Sequence, residues 1–84
     1  MDYCMITFRS VTPAQRAENL LRKEGIACIL QRTPRVLAEQ GCGYSLRVRC
    51  DQLQHAIELM RRQGIAYRKA YRIEDGGRPE EIFL

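Results

Sequence analysis

A single histidine, no tryptophan and only two phenylalanines and four tyrosines stand in this 84-residue chain, and each scarcity narrows what it can do. His55 has no serine or carboxylate pair spaced to join it, so hydrolytic and acid–base enzyme classes find little support. The four cysteines, at positions 4, 28, 42 and 50, form no CxxC pair. A tetrahedral zinc site draws on closely spaced ligand pairs, so no structural metal is expected. No apolar run approaches the roughly 20 residues that cross a bilayer, and Met1-Asp2-Tyr3 lacks the basic start of a signal peptide. The expectation is a cytoplasmic protein, and in a reducing cytosol a disulfide framework is not expected.

Charge of one sign is also thin. Fourteen Lys and Arg residues face ten Asp and Glu, a formal net charge of +4. The cations are spread over every segment and acidic residues interrupt them, which describes a mixed solvated surface better than a nucleic-acid footprint.

What is present is an internal echo. "AENLLRKEGIAC" begins at Ala17 and "AIELMRRQGIAY" begins at Ala56, 39 positions later. The same offset carries Thr12 onto Asp51 and Gln15 onto Gln54. Thr12 and Asp51 are expected N-caps, each with a glutamine three residues on that reaches back to the cap amide. Pro13 suits a first helical position. Ala14, Ala17, Leu20 and Leu21 follow helical spacing from Pro13 to about Glu24, and Leu53, Ala56, Ile57 and Met60 do so from Gln52 to Gln63. Gly25 and Gly64 then end the helices by taking the left-handed conformation.

Strands are expected at Tyr3 to Phe8, Ala27 to Leu30, Tyr44 to Arg49 and Ala66 to Ile73. A chain this short buries only about 60 to 65% of its unfolded surface and builds one core. The order β-α-β-β-α-β predicts an α+β fold, a ferredoxin-like sandwich with a four-stranded antiparallel sheet and both helices on one face. Residues 1–74 make one domain, and 75–84 read as a polar C-terminal tail whose "IFL" either docks on a partner chain or frays. The open sheet face, with Tyr3, Met5 and Thr7 on its first strand, is left for water, a ligand or a second copy of the chain.

Between the second and third strands lies "QRTPRVLAEQGCG", about twice the length a hairpin needs. Val36 to Glu39 can add a turn of helix after Pro34. Cys42 stands here between Gly41 and Gly43. Flanking glycines uncover the sulfur and let consecutive amides point toward an anion. Arg35 and Arg47 are near enough in sequence to lower its pKa if they fold over it. The plainer alternative is a small apolar plug beneath a loop. Cys4 alternates with Ile6 and Phe8 as a core residue, Cys28 belongs to a short apolar strand, and Cys50, just before a helix cap, is the one expected to be exposed.

"ITFRSVTPAQRAENLLRKEGI", followed by Pro34-Arg35 and by Cys42-Gly43 leading into the third strand, resembles the family of small selenium/sulfur carrier-like proteins over roughly residues 3 to 72. That resemblance implies that Cys42 is the carrier thiol. Where it leads one to expect serines before the cysteine, this chain has Ala38-Glu39-Gln40-Gly41.

Three functions follow for test. A carrier accepts sulfur or selenium on Cys42 as a persulfide or selenosulfide and passes it between donor and acceptor proteins. It needs no cofactor and is not a stand-alone catalyst. A dimeric regulatory or assembly module would use the open sheet face to bind a metabolite or partner protein. An RNA-binding module would stack bases on Tyr44 and Tyr3, although Leu46 and Val48 occupy positions where aromatics are wanted.

Overall fold

The computed structural model describes residues 3–35, 43–74 and 78–84. Its elements run β1 (Tyr3–Phe8), α1 (Val11–Lys23), β2 (Cys28–Arg32), β3 (Tyr44–Val48), a single 3-10 turn (Cys50–Gln52), α2 (Leu53–Arg62), β4 (Ala70–Ile73) and β5 (Glu80–Ile82). All neighbouring strands pair antiparallel in the order β2-β3-β1-β4-β5. The first four strands have the ferredoxin-like arrangement, and the sheet has five strands where the sequence led us to expect four. The addition comes from Glu80–Ile82, which pairs with β4 and lays Ile82 opposite Ala70, against the core.

One core lies between the helices and one sheet face. Ala14, Ala17 and Leu21 of α1 and Leu53, Ala56, Ile57 and Met60 of α2 meet Cys4, Ile6, Phe8, Leu46 and Val48 there. The helical periodicity therefore located the buried faces. The starts of the helices differ from expectation. Ser10, not Thr12, is the N-cap of α1, and its side chain caps nothing. Pro13 then falls in the first turn, where its missing N–H has no helical partner in any case. Asp51 sits inside the 3-10 turn, with its carboxylate held by Arg49 at 2.9 Å.

The helix ends are a matched pair. Gly25 and Gly64 have φ of 80° and 68°. Beyond each, the isoleucine amide reaches back to the helix, Ile26 to the Leu21 carbonyl at 2.8 Å and Ile65 to the Met60 carbonyl at 2.9 Å. This is the Schellman closure, made twice from the two copies of the echo.

β4 starts at Ala70 instead of Ala66. The reason is Thr7, which bonds two residues at once: its amide donates to the Lys69 carbonyl at 2.8 Å, and its carbonyl accepts from the Arg68 amide at 2.7 Å. Two residues opposing one is the mark of a β-bulge, which interrupts the ladder. The outer sheet face also departs from expectation. Met5 and Thr7 are buried within the chain itself, at 0% and 6% exposure, and Ser45 beside them is fully buried. Tyr3 is half-buried beneath Arg47, whose guanidinium carbon lies 3.9 Å from the ring centre. Ile29, on edge strand β2, is an apolar side chain of this face that stays open, at 55%.

Candidate functional site

Two features with chemical potential lie at opposite ends of β3. At its start, the long β2–β3 connection hangs from a closed neck. Arg32 pairs with Tyr44, and the Thr33 amide donates to the Gly43 carbonyl at 2.9 Å. Just inside, the Thr33 and Ser45 hydroxyls share a 2.6 Å hydrogen bond. Gly43 itself is packed tightly: a Cβ there would stand 3.2 Å from the Phe8 carbonyl oxygen and 3.3 Å from Thr33 Oγ1. The role of Gly43 is thus close approach of backbones.

Of the residues expected at the site, Gly43 forms this neck and Arg35 lies exposed just beyond it. Cys42 and Gly41, and the helical turn expected at Val36 to Glu39, lie outside the described residues. Arg47 stands further along β3, over Tyr3, and lines a cleft at the far end of the strand.

That cleft is the second feature. It encloses about 630 Å³ where β2 begins and β3 ends, between Ala27 to Ile29, Val48 to Asp51, Tyr3 and Arg47. Cys50 lines it, and Cys50 is bonded to Cys4, with the two Cα atoms 5.1 Å apart across a sequence separation of 46. The disulfide overturns the expectation that all four sulfurs are separate thiols. The cause is register: Cys4 pairs with Val48, so the chain leaving β3 turns Cys50 back onto the start of β1. Antiparallel pairing of β1 with β3, already implied by the expected fold, was the signal that could have found it. Cys4 is buried at 1% exposure, as its alternation with Ile6 and Phe8 implied, and Cys50 is half-buried.

Cys28 also lines the cleft, as a buried free thiol. Its sulfur donates weakly to the Glu18 carbonyl at 3.9 Å. Burial pushes this thiol up from its ordinary value of 9.0, outweighing the lowering by Arg22. It stays protonated and is a poor nucleophile at neutral pH. Tyr44 packs against the core, whereas Tyr3 lies on the opposite face under Arg47. The two tyrosines therefore do not form the shared stacking surface that an RNA-binding reading needs.

Fold and neck together define a class: a small α+β domain that holds a long cysteine-bearing connection between its second and third strands. Residues 3–72 match the family model described as "Putative Se/S carrier protein-like". That span takes in both helices, the first three strands, all but the last residue of the fourth and the whole β2–β3 connection, and the chain belongs to this family. No curated protein matches the chain. Among the described residues no helix is long and apolar enough to cross a membrane.

Proposed function

We propose that the protein is a sulfur or selenium carrier whose working atom is Sγ of Cys42. The observation that carries this reading is the neck: a connection far longer than the hairpin needs is hung from a hydrogen-bonded, tightly packed base, inside a chain of the carrier-like family. A fixed base with a reachable thiol beyond it is what transfer between two partner proteins requires.

The step is thiol exchange. The Cys42 thiolate attacks the terminal sulfur of a donor's persulfide, the donor's S–S bond breaks, and the donor leaves as a thiolate while Cys42 holds the persulfide. An acceptor thiolate repeats the step in turn, and selenium moves in the same way through a selenosulfide. On this reading the glycines on either side, Gly41 and Gly43, serve to keep bulk away from the sulfur, and the exposed Arg35 supplies positive charge at the neck. Arg47 is engaged with Tyr3 at the far end of β3 and is assigned no role in this step. Partner enzymes supply the catalysis, and this chain supplies the thiol.

Incubation with a cysteine desulfurase and cysteine, followed by intact-mass measurement and peptide mapping, tests it. One added sulfur atom should appear on Cys42, vanish in Cys42→Ser and persist in Cys50→Ser. An unmodified wild type, or label on Cys50, would overturn the assignment.

A further inference from the structure

The cleft at the far end of β3 has no part in that reading, yet it places three unlike things together: a disulfide, an arginine stacked on an aromatic ring, and an apolar wall. Cys4 is closed off by the core, so small molecules reach the Cys4–Cys50 bond only from the side of Cys50, which lines the cleft. Among the described residues that line it, the cleft's charge is positive. Arg49 is paired with Asp51 at 2.9 Å, and Arg47 has no carboxylate partner among the described residues, so one cationic charge is left over. Stacking on Tyr3 fixes that guanidinium without neutralising it. The volume of about 630 Å³ falls in the range of small-ligand pockets.

We propose that this cleft is a thiol–disulfide exchange site for small anionic thiols, with Cys50 as the sulfur attacked and Arg47 as the group that holds a carboxylate of the incoming molecule. The incoming thiolate bonds to Cys50 Sγ, the Cys4–Cys50 bond breaks, and Cys4 leaves as a thiolate that takes a proton on returning to its apolar surroundings. A second equivalent of the same thiol attacks the mixed disulfide and departs as its own symmetrical disulfide. Two thiols are thereby oxidised and one protein disulfide is reduced to two cysteines, with no other oxidant or reductant required. Arg47 acts by raising the local concentration of the anion, and the attack itself needs only the reachable sulfur.

The test uses the full chain carrying Cys42→Ser, which leaves the cleft intact and makes the result independent of the carrier reading. Its oxidised form is exposed to glutathione, which bears two carboxylates, and separately to cysteamine, which bears an ammonium, at equal thiolate concentrations. Reactions are quenched in acid and mapped by mass. The mixed disulfide should form on Cys50, with glutathione faster by about fivefold at low salt, the effect of one charge near contact in water. High salt and Arg47→Ala should each erase the preference, and Arg47→Lys should keep most of it. First attack on Cys4, equal rates for the two thiols, or a preference that survives Arg47→Ala would each overturn the proposal.

Discussion

At Gly43 a single missing methyl group holds two strands together. A Cβ would press on the Phe8 carbonyl, which is backbone in the central strand and cannot rotate away, and on Thr33 Oγ1, already committed to Ser45. Gly43→Ala should therefore cost about 1–3 kcal/mol, the usual penalty of overpacking. A drop in the urea midpoint without a change in slope would show it. Cys28 offers a second test at this scale. Its folded pKa is raised above the ordinary value of 9.0 by burial. A raised pKa means that folding favours the protonated thiol, so its contribution is fully present below pH 9 and is lost as pH rises through the higher folded value. The stability gap between wild type and Cys28→Ala should accordingly be constant from pH 6 to 8 and shrink above pH 9, as read by urea unfolding at each pH. A gap that widens with alkali would mean the thiol is held as a thiolate.

Among the elements, the repeated helix is where sequence spoke most clearly. Two copies of an apolar stripe followed by Gly-Ile give helices with the expected buried faces and the same C-terminal closure, because a helical stripe and a left-handed glycine are local devices. The starts of those helices were less legible. Thr12 and Asp51 both have good cap chemistry, but side chains of that kind serve equally inside a first turn or in an ion pair, and only tertiary placement decides. The overall strand pairing could be read, but its non-local detail escaped. The Thr7 bulge, the fifth strand and the Cys4–Cys50 bond each depend on which residue lies across from which, a fact held in register and not in spacing. For the candidate site, the length of the loop and its Cys-Gly pair could be read directly, whereas the packing of Gly43 against Phe8 could not. Because the two helix closures share one geometry, Gly25→Ala and Gly64→Ala should each cost about 1–2 kcal/mol, the penalty of placing a side chain in the left-handed region. An added Cβ meets nothing within 4 Å at either position, so the two losses should agree closely in thermal melts. Unequal losses would show that the halves, though alike in sequence, are not equivalent in strain.

For the molecule as a whole, the disulfide decides how stability depends on surroundings. It ties the first strand to the entrance of α2 across 46 positions, a large loop for a chain of this size, and it does so beside a core shared by both helices. Confining the unfolded chain over that span is worth about 4 kcal/mol in the loop-entropy account. Set against the 5–15 kcal/mol of a typical domain, this is a substantial fraction of the total. Reduction should lower the melting temperature by about 15–30 °C, and Cys50→Ser should match the reduced wild type, since both leave Cys4 as a buried thiol that its apolar neighbours accept without loss. Cys42→Ser should not alter the response to reductant. If the reduced protein and Cys50→Ser melt where oxidised wild type does, the covalent link is incidental to the fold. A large matched fall would instead mean that any thiol exchanging at the cleft also sets how much of the chain is folded, linking the redox state at one end of β3 to the loop that hangs from the other.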